Sequence, residues 1–297
     1  TLSDSLNPAT ITDSNPRTLD WSAYRKRALS AGQDYLAAVD EILEGVRSRR
    51  EQSEAEGRVP DATVEDMIGT GLFRAFTPLR YGGLEMDPAS FFEGIMKIAE
   101  ADASAAWIAG QLNVHSFEIA LMSERMQDEF WATGPDTRAS SSYAPIGKVT
   151  EAGDGYVLNG TWTFSSGVDH AQWVILGGGD KAFVVPISDV TVDHDSWDVQ
   201  GLKGTGSKNV PLYWMSFSAV FNATPTNTVL GAGLGGINTF IEQSRLRLTR
   251  QGTGSPIAQN PFLHLKVAEA LTKIGTARER HLQNWRMLFD IACRGEE

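Results

Sequence analysis

The sequence is short of several features that would tie it to large functional classes. Its 297 residues hold one cysteine, Cys293, so no disulfide can close within the chain and no second thiol stands ready for a zinc site. A reducing, cytoplasmic setting is the expectation. Cations are scarce: 26 Lys and Arg face 37 Asp and Glu, and the net charge of -11 is opposite to what neutralising phosphates requires. Nucleic acid is therefore excluded as a partner. No apolar run approaches the roughly 20 residues of a membrane span. The first residues, Thr1 to Trp21, show neither a basic nor an apolar region and do not read as a signal peptide. His194, His264 and His281 stand apart, without metal-ligand spacing. What remains is a chain long enough for real hydrophobic cores, with small molecules or proteins as its partners.

The apolar spacing divides the chain into three regions. Residues 1–135 read as helix and loop. One helix runs from Trp21 to about Arg50, with Tyr24, Ala28, Ala31, Tyr35, Ala38, Ile42 and Val46 on one side. Asp61 caps a helix through Met67, Asp87-Pro88 opens another to about Ala101, one more covers Ser104 to Met122, and Ser123 caps a short one to Trp131. Residues 136–225 change character. Short β-branched and aromatic runs (139–144, 148–152, 155–158, 161–165, 173–176, 182–185, 190–196) alternate with Gly, Asp, Asn and Pro, which predicts an antiparallel β domain. Helical periodicity returns at about Thr228, and residues 226–297 form a partial helical bundle broken at Gly252–Pro256 and Asn260-Pro261. The order is α, β, α, an α+β class without the alternation of a parallel Rossmann sheet.

Four strings add a family signal. They are Gly71-Leu-Phe-Arg-Ala-Phe-Thr-Pro78-Leu-Arg-Tyr81-Gly82-Gly83, Gly155-Tyr-Val-Leu-Asn-Gly-Thr-Trp-Thr-Phe-Ser-Ser166-Gly, Trp197 with Gly201-Leu-Lys-Gly-Thr-Gly-Ser207, and Arg250-Gln-Gly-Thr-Gly-Ser-Pro-Ile-Ala258. In order and content they resemble the acyl-CoA dehydrogenase superfamily, whose plan is a helical domain, a β domain and a helical bundle. Two details resemble one branch of it, the flavin-dependent aromatic hydroxylases that include 4-hydroxyphenylacetate 3-hydroxylase and the steroid-degrading phenol hydroxylases. Ala139-Ser-Ser-Ser-Tyr-Ala-Pro145 replaces the dehydrogenase segment, and Phe164-Ser-Ser-Gly-Val-Asp-His170 replaces its tryptophan-containing strand end.

The resemblance implies the oxygenase component of a two-component system. Such a protein holds reduced flavin (FMNH2 or FADH2), lets O2 add at C4a, protects the hydroperoxide and passes oxygen to a phenolic or fused aromatic ring. It implies a role for Ser166 at flavin N5, with Phe164 and Trp107 walling the flavin and Arg250 reaching the flavin phosphates of a neighbouring subunit in a homotetramer. Trp107 and His115 lie about 80° apart on a helix and can face one cavity. There His115 accepts the phenol proton or bonds its oxygen; the plainer alternative is a satisfied helix histidine. Ser141 corresponds to a pocket serine, with Ser140 and Ser142 close contenders on the opposite strand face. Trp214, three residues before Phe217, stands where phenylacetate-type enzymes carry a carboxylate-binding Arg, which implies an uncharged substrate. Relatives continue beyond the equivalent of Glu297 and draw a second pocket histidine from that stretch.

Gly231-Ala-Gly-Leu-Gly-Gly236 mimics a dinucleotide fingerprint but lacks its strand–turn–helix setting, so small residues opening a tightly packed bundle helix explain it. Without a nicotinamide site, reduced flavin must come from a separate NAD(P)H:flavin reductase. Three alternatives compete: an acyl-CoA dehydrogenase, with Glu242 or Glu269 as base; an amine N-oxidising relative; and a non-catalytic scaffold.

Overall fold

The computed structural model describes residues 20–153, 155–163, 165–192, 217–246 and 257–294. Eight α-helices and five strands occupy these segments. Helix α1 (Trp21–Ser48) starts where the Asp20 carboxylate accepts from the Ser22 and Ala23 amides at 3.1 Å, and it buries Ala28, Gly32, Tyr35, Val39 and Val46 along one stripe. A short α2 (Arg50–Glu56) follows. Helix α3 (Asp61–Gly69) begins one residue off the expectation: Pro60 is its N-cap and makes no side-chain cap, while Asp61 sits inside the first turn. Helix α4 (Pro88–Ala101) is capped by Asp87, which accepts from the Ser90 amide at 3.0 Å, with Pro88 at the first helical position. Asp102 ends α4 and caps α5 (Ala103–Ile119), and Ser123 caps α6 (Glu124–Phe130). Phe73, Phe76, Phe91, Phe92 and Phe117 are fully buried in the core where α1, α4 and α5 meet.

The β region departs from the expected antiparallel sheet. Strand β1 (Ala139–Ser142) pairs in parallel with β4 (Trp173–Gly178), from Ala139 opposite Trp173 to Ser142 opposite Leu176. Antiparallel β5 (Lys181–Pro186) completes a three-stranded sheet in the order β1-β4-β5. Strands β2 (Lys148–Ala152) and β3 (Gly155–Asn159) form a separate antiparallel ribbon. The stretch between β1 and β4 is long enough for the crossover that parallel pairing demands. The strand expected at 161–165 is absent among its described residues. Instead the Ser142 hydroxyl donates to the Thr163 carbonyl at 2.7 Å and Ser140 meets Ser165 at 2.8 Å, so side chains of β1 hold this segment in place of a ladder. Gly179, at φ 61°, and Asp180 form the tight turn from β4 to β5. Of the expected run 190–196, residues 193–196 lie outside the described residues.

The helical bundle begins earlier than expected. Helix α7 runs Phe217–Leu246, with Pro225 inside it, and α8 runs Pro261–Arg294. Gly231 and Gly235 lie mid-helix in α7, where α4 crosses it. An added Cβ would come within 2.2 Å of the Met96 carbonyl oxygen at Gly231 and 2.7 Å of the Glu100 carbonyl oxygen at Gly235. Close helix packing is thus the reason for these glycines, in the middle of the helix rather than at its opening. Among the described residues, no helix is long and apolar enough to cross a membrane.

Candidate functional site

Helix α5 carries two of the expected site residues, Trp107 and His115. Every residue from Ala109 to Phe117 is buried, Gln111, Asn113, His115 and Ser116 included. A helix buried all round has no solvent face, so its polar side chains must find partners inside the protein. Gly110 permits this burial on one side: a Cβ there would meet Thr224 of α7 at 2.0 Å. The β layer covers another side.

His115 is 1% exposed, and its Nδ1 lies 3.1 Å from Oε2 of Glu118, one helical turn on. The Tyr143 hydroxyl, just past β1, donates to that same oxygen and lies 3.3 Å from Nδ1. Ser141, two residues earlier, lies close enough to the Tyr143 phenol to stabilise its ionised form slightly. Burial first, and then the Glu118 carboxylate, push the Tyr143 pKa well above the phenol's ordinary value, so Tyr143 stays a donor. The Phe221 ring closes the apolar side, with its centroid 6.2 Å from His115 and 6.3 Å from Tyr143. Ser140 and Ser142 turn the other way, to residues 163–165, and Ser141 turns to this cluster, as strand alternation requires.

Two turns earlier on α5, the Trp107 indole Nε1–H donates to Ser166 Oγ at 3.1 Å. Gly167, at φ 75°, lets the chain turn onto α5, and a Cβ there would press on Leu112 at 3.0 Å. That turn, together with the Ser140–Ser165 bond, sets Ser166 over Trp107. Both α5 rings therefore look to the β layer, Trp107 to Ser166 and His115 to Tyr143. Ser166 is half-buried, and its oxygen keeps a lone pair and its own proton beyond the indole bond. Those are suitable partners for a flavin ring nitrogen. Glu118 and Tyr143 escaped the sequence reading although their spacing was visible, one turn after His115 and two residues after Ser141.

Other expectations resolve differently. Phe164, Arg250, Trp214 and the Trp197–Ser207 motif lie outside the described residues, as does His194, and Phe217 is described only as the first residue of α7. His170 is a staple rather than a pocket group: its Nε2 is 2.9 Å from the Val59 carbonyl, and its own carbonyl accepts from Arg138 Nε at 2.7 Å. Glu242 is exposed, and exposed Glu269 pairs with Lys266 and Lys273, so neither reaches the α5 cluster. Among the described residues, no group of three or more His, Cys, Asp or Glu could hold a metal ion. A 390 Å³ cavity between α7 and α8, beside Phe240 and His264, contains none of the expected site residues.

No family model matches the chain. It is 30% identical over 305 residues to the oxygenase subunit HsaA, a flavin-dependent monooxygenase of Mycobacterium tuberculosis, with 89% of this chain and 77% of that protein covered. It is 33% identical over 296 residues to the oxygenase component of p-hydroxyphenylacetate 3-hydroxylase from Acinetobacter baumannii, covering 86% and 70%. The crystal structure of the M. tuberculosis HsaA monooxygenase superposes with a TM-score of 0.77 at 31% identity, over 90% of this chain and 78% of that one.

Proposed function

This chain belongs to the flavin-dependent monooxygenases, as an oxygenase component of the two-component aromatic hydroxylases, and on that premise we propose which of its residues carry the reaction and what it acts on. The enzyme uses reduced flavin and O2 to hydroxylate a phenolic ring. When bound, the reduced flavin supplies the activation of oxygen; the chain supplies binding, orientation and proton handling. Ser166, steadied by the Trp107 indole, would face the flavin ring, and Trp107 would wall it together with Phe164. His115 accepts the phenol proton at Nε2, which raises electron density at the ortho carbon, and Ser141 bonds near the same oxygen. The observation that carries this reading is the buried imidazole whose Nδ1 is already engaged by Glu118, leaving Nε2 for a substrate.

The finer features follow the same premise. The α, β, α order supports the acyl-CoA dehydrogenase fold. Trp214, three residues before Phe217 in the sequence, favours a neutral phenol or fused aromatic over an aryl acid. Arg250 would bind flavin phosphates across a homotetramer interface, a separate NAD(P)H:flavin reductase would supply FMNH2 or FADH2, and the setting is cytoplasmic. The test mixes protein and chemically reduced flavin with ¹⁸O-labelled O2 and paired panels of neutral phenols and phenolic acids. Label in the hydroxylated neutral phenols is expected. Label in no aromatic product overturns the reading, and a preference for the acids overturns the substrate class alone.

A further inference from the structure

We infer that Glu118 and Tyr143 are positioning residues that hold His115 in the Nδ1–H tautomer and aim its Nε2 lone pair at the substrate. The inference rests on the proposed role of His115 and adds what sets that role up. A carboxylate only accepts hydrogen bonds. The Tyr143 hydroxyl has a single proton, and it goes to Glu118 Oε2. The 3.1 Å approach of His115 Nδ1 to that same oxygen then requires the ring proton to sit on Nδ1. A neutral imidazole with Nδ1 protonated has its one lone pair on Nε2, the state a general base needs.

Each part of the geometry serves this end. Glu118 follows His115 by one turn on a helix whose backbone is locked between α7 and the β layer, so the carboxylate cannot drift from the ring. Tyr143 reaches Glu118 from the β side and fixes Oε2 against rotation. The Phe221 ring packs beside both rings, its centroid 6.2 Å from His115 and 6.3 Å from Tyr143. A buried imidazole needs an acceptor for its N–H in any case; an acceptor that already takes a second donor also fixes which ring nitrogen carries the proton.

The test begins with flavin-free protein labelled with ¹⁵N at histidine, whose tautomers are read by NMR; signals lost in His115→Ala identify the residue. In the wild type His115 is expected as the Nδ1–H tautomer. Glu118→Gln, whose carboxamide can turn its NH2 to the ring, shifts the population toward Nε2–H, and Tyr143→Phe does so to a smaller degree. The second arm measures single-turnover hydroxylation of a neutral phenol by flavin-loaded protein. Glu118→Gln is expected to lower the rate constant by about 10–100-fold with little change in flavin affinity, by analogy with other partners that orient a histidine. Introduced into His115→Ala it lowers the rate less than about two-fold, because residues acting as a unit are non-additive. An unshifted tautomer in Glu118→Gln, or equal losses in both backgrounds, overturns the positioning role. Full hydroxylation by His115→Ala instead overturns the base assignment beneath it, and a wild type that hydroxylates nothing overturns the function itself.

Discussion

At the residue scale, the proposed site divides between the two α5 rings. The Ser166 hydroxyl takes one hydrogen bond from Trp107 and has capacity left for the flavin ring. Ser166→Ala deletes that capacity without touching the core, so folding should survive while more hydrogen peroxide is released per product formed. One lost hydrogen bond is worth about 1 kcal/mol, which is about five-fold in a rate. Trp107→Phe keeps the wall and removes the indole donor, and it should reproduce part of the effect. Unchanged peroxide in both variants would reduce the pair to a structural contact. His115→Ala should act on the other half of the reaction: hydroxylation falls by about 10²–10⁴-fold, the usual cost of a lost general base, while flavin binding persists. A rapid-quench measurement of product against peroxide separates the two. The sequence made these residues visible one at a time. It could not show that Ser141 and His115 are joined through Tyr143 and Glu118, because the links between α5 and β1 are made in space.

At the element scale, α7 is the most informative helix. Its first third, Phe217 to Asn227, is rich in Thr, Asn and β-branched residues and contains Pro225, so local propensity argues against helix. Burial decides otherwise: Val220, Phe221, Ala223, Thr224 and Asn227 all pack inside. The glycine run further along yields a paired prediction. Gly231→Ala must push against the Met96 carbonyl and should destabilise by about 1–3 kcal/mol, as overpacking does. At Gly236 no atom lies within 4 Å of an added Cβ, so Gly236→Ala should stabilise the helix by about 0.5–1 kcal/mol. Urea midpoints report both. A phosphate-binding loop would show its response in nucleotide affinity, and equal midpoints for the two variants would dismiss the packing account.

At the scale of the whole molecule, stability should depend on pH through buried imidazoles. Burial foremost, with the nearby Arg58 charge adding to it, holds the His170 pKa below its ordinary value, and burial does the same to His281, whose Nε2 accepts from Trp285 at 3.0 Å. Between the lowered folded value and the unfolded one of about 6.5 the unfolded chain binds more protons, so stability rises with pH across that window. The stability is full above it and is lost as pH falls through it. Asp87 and Glu100, raised by burial, titrate with the opposite sign, so the informative quantity is a difference. His170→Gln can still donate to the Val59 carbonyl but cannot titrate. Its melting temperature should fall less steeply from pH 7 to acid than that of the wild type, and parallel curves would contradict the assignment. A second expectation is that the purified protein alone consumes no NAD(P)H and does so only with a flavin reductase present. Consumption without one would send the glycine run back for reconsideration.

Local chemistry was enough for much of this protein. Asp87-Pro88 and Ser123 start helices because a cap is satisfied within three residues, and the five described strands each overlapped a run marked out in the sequence, four of them holding β-branched residues. The family strings were equally legible, since a turn that needs Gly167 or Gly82 in the left-handed region leaves its glycine in the sequence. What the sequence could not contain was partnership. Alternation gives a strand its faces and not its neighbour, so the parallel pairing of β1 with β4 emerged only when the crossover was laid down. Pro225 stayed in a helix because packing against α5 outweighed its propensity. Glu118, one polar residue among many by composition, became the partner of His115 because the fold brought its part-buried carboxylate against that ring beneath Tyr143.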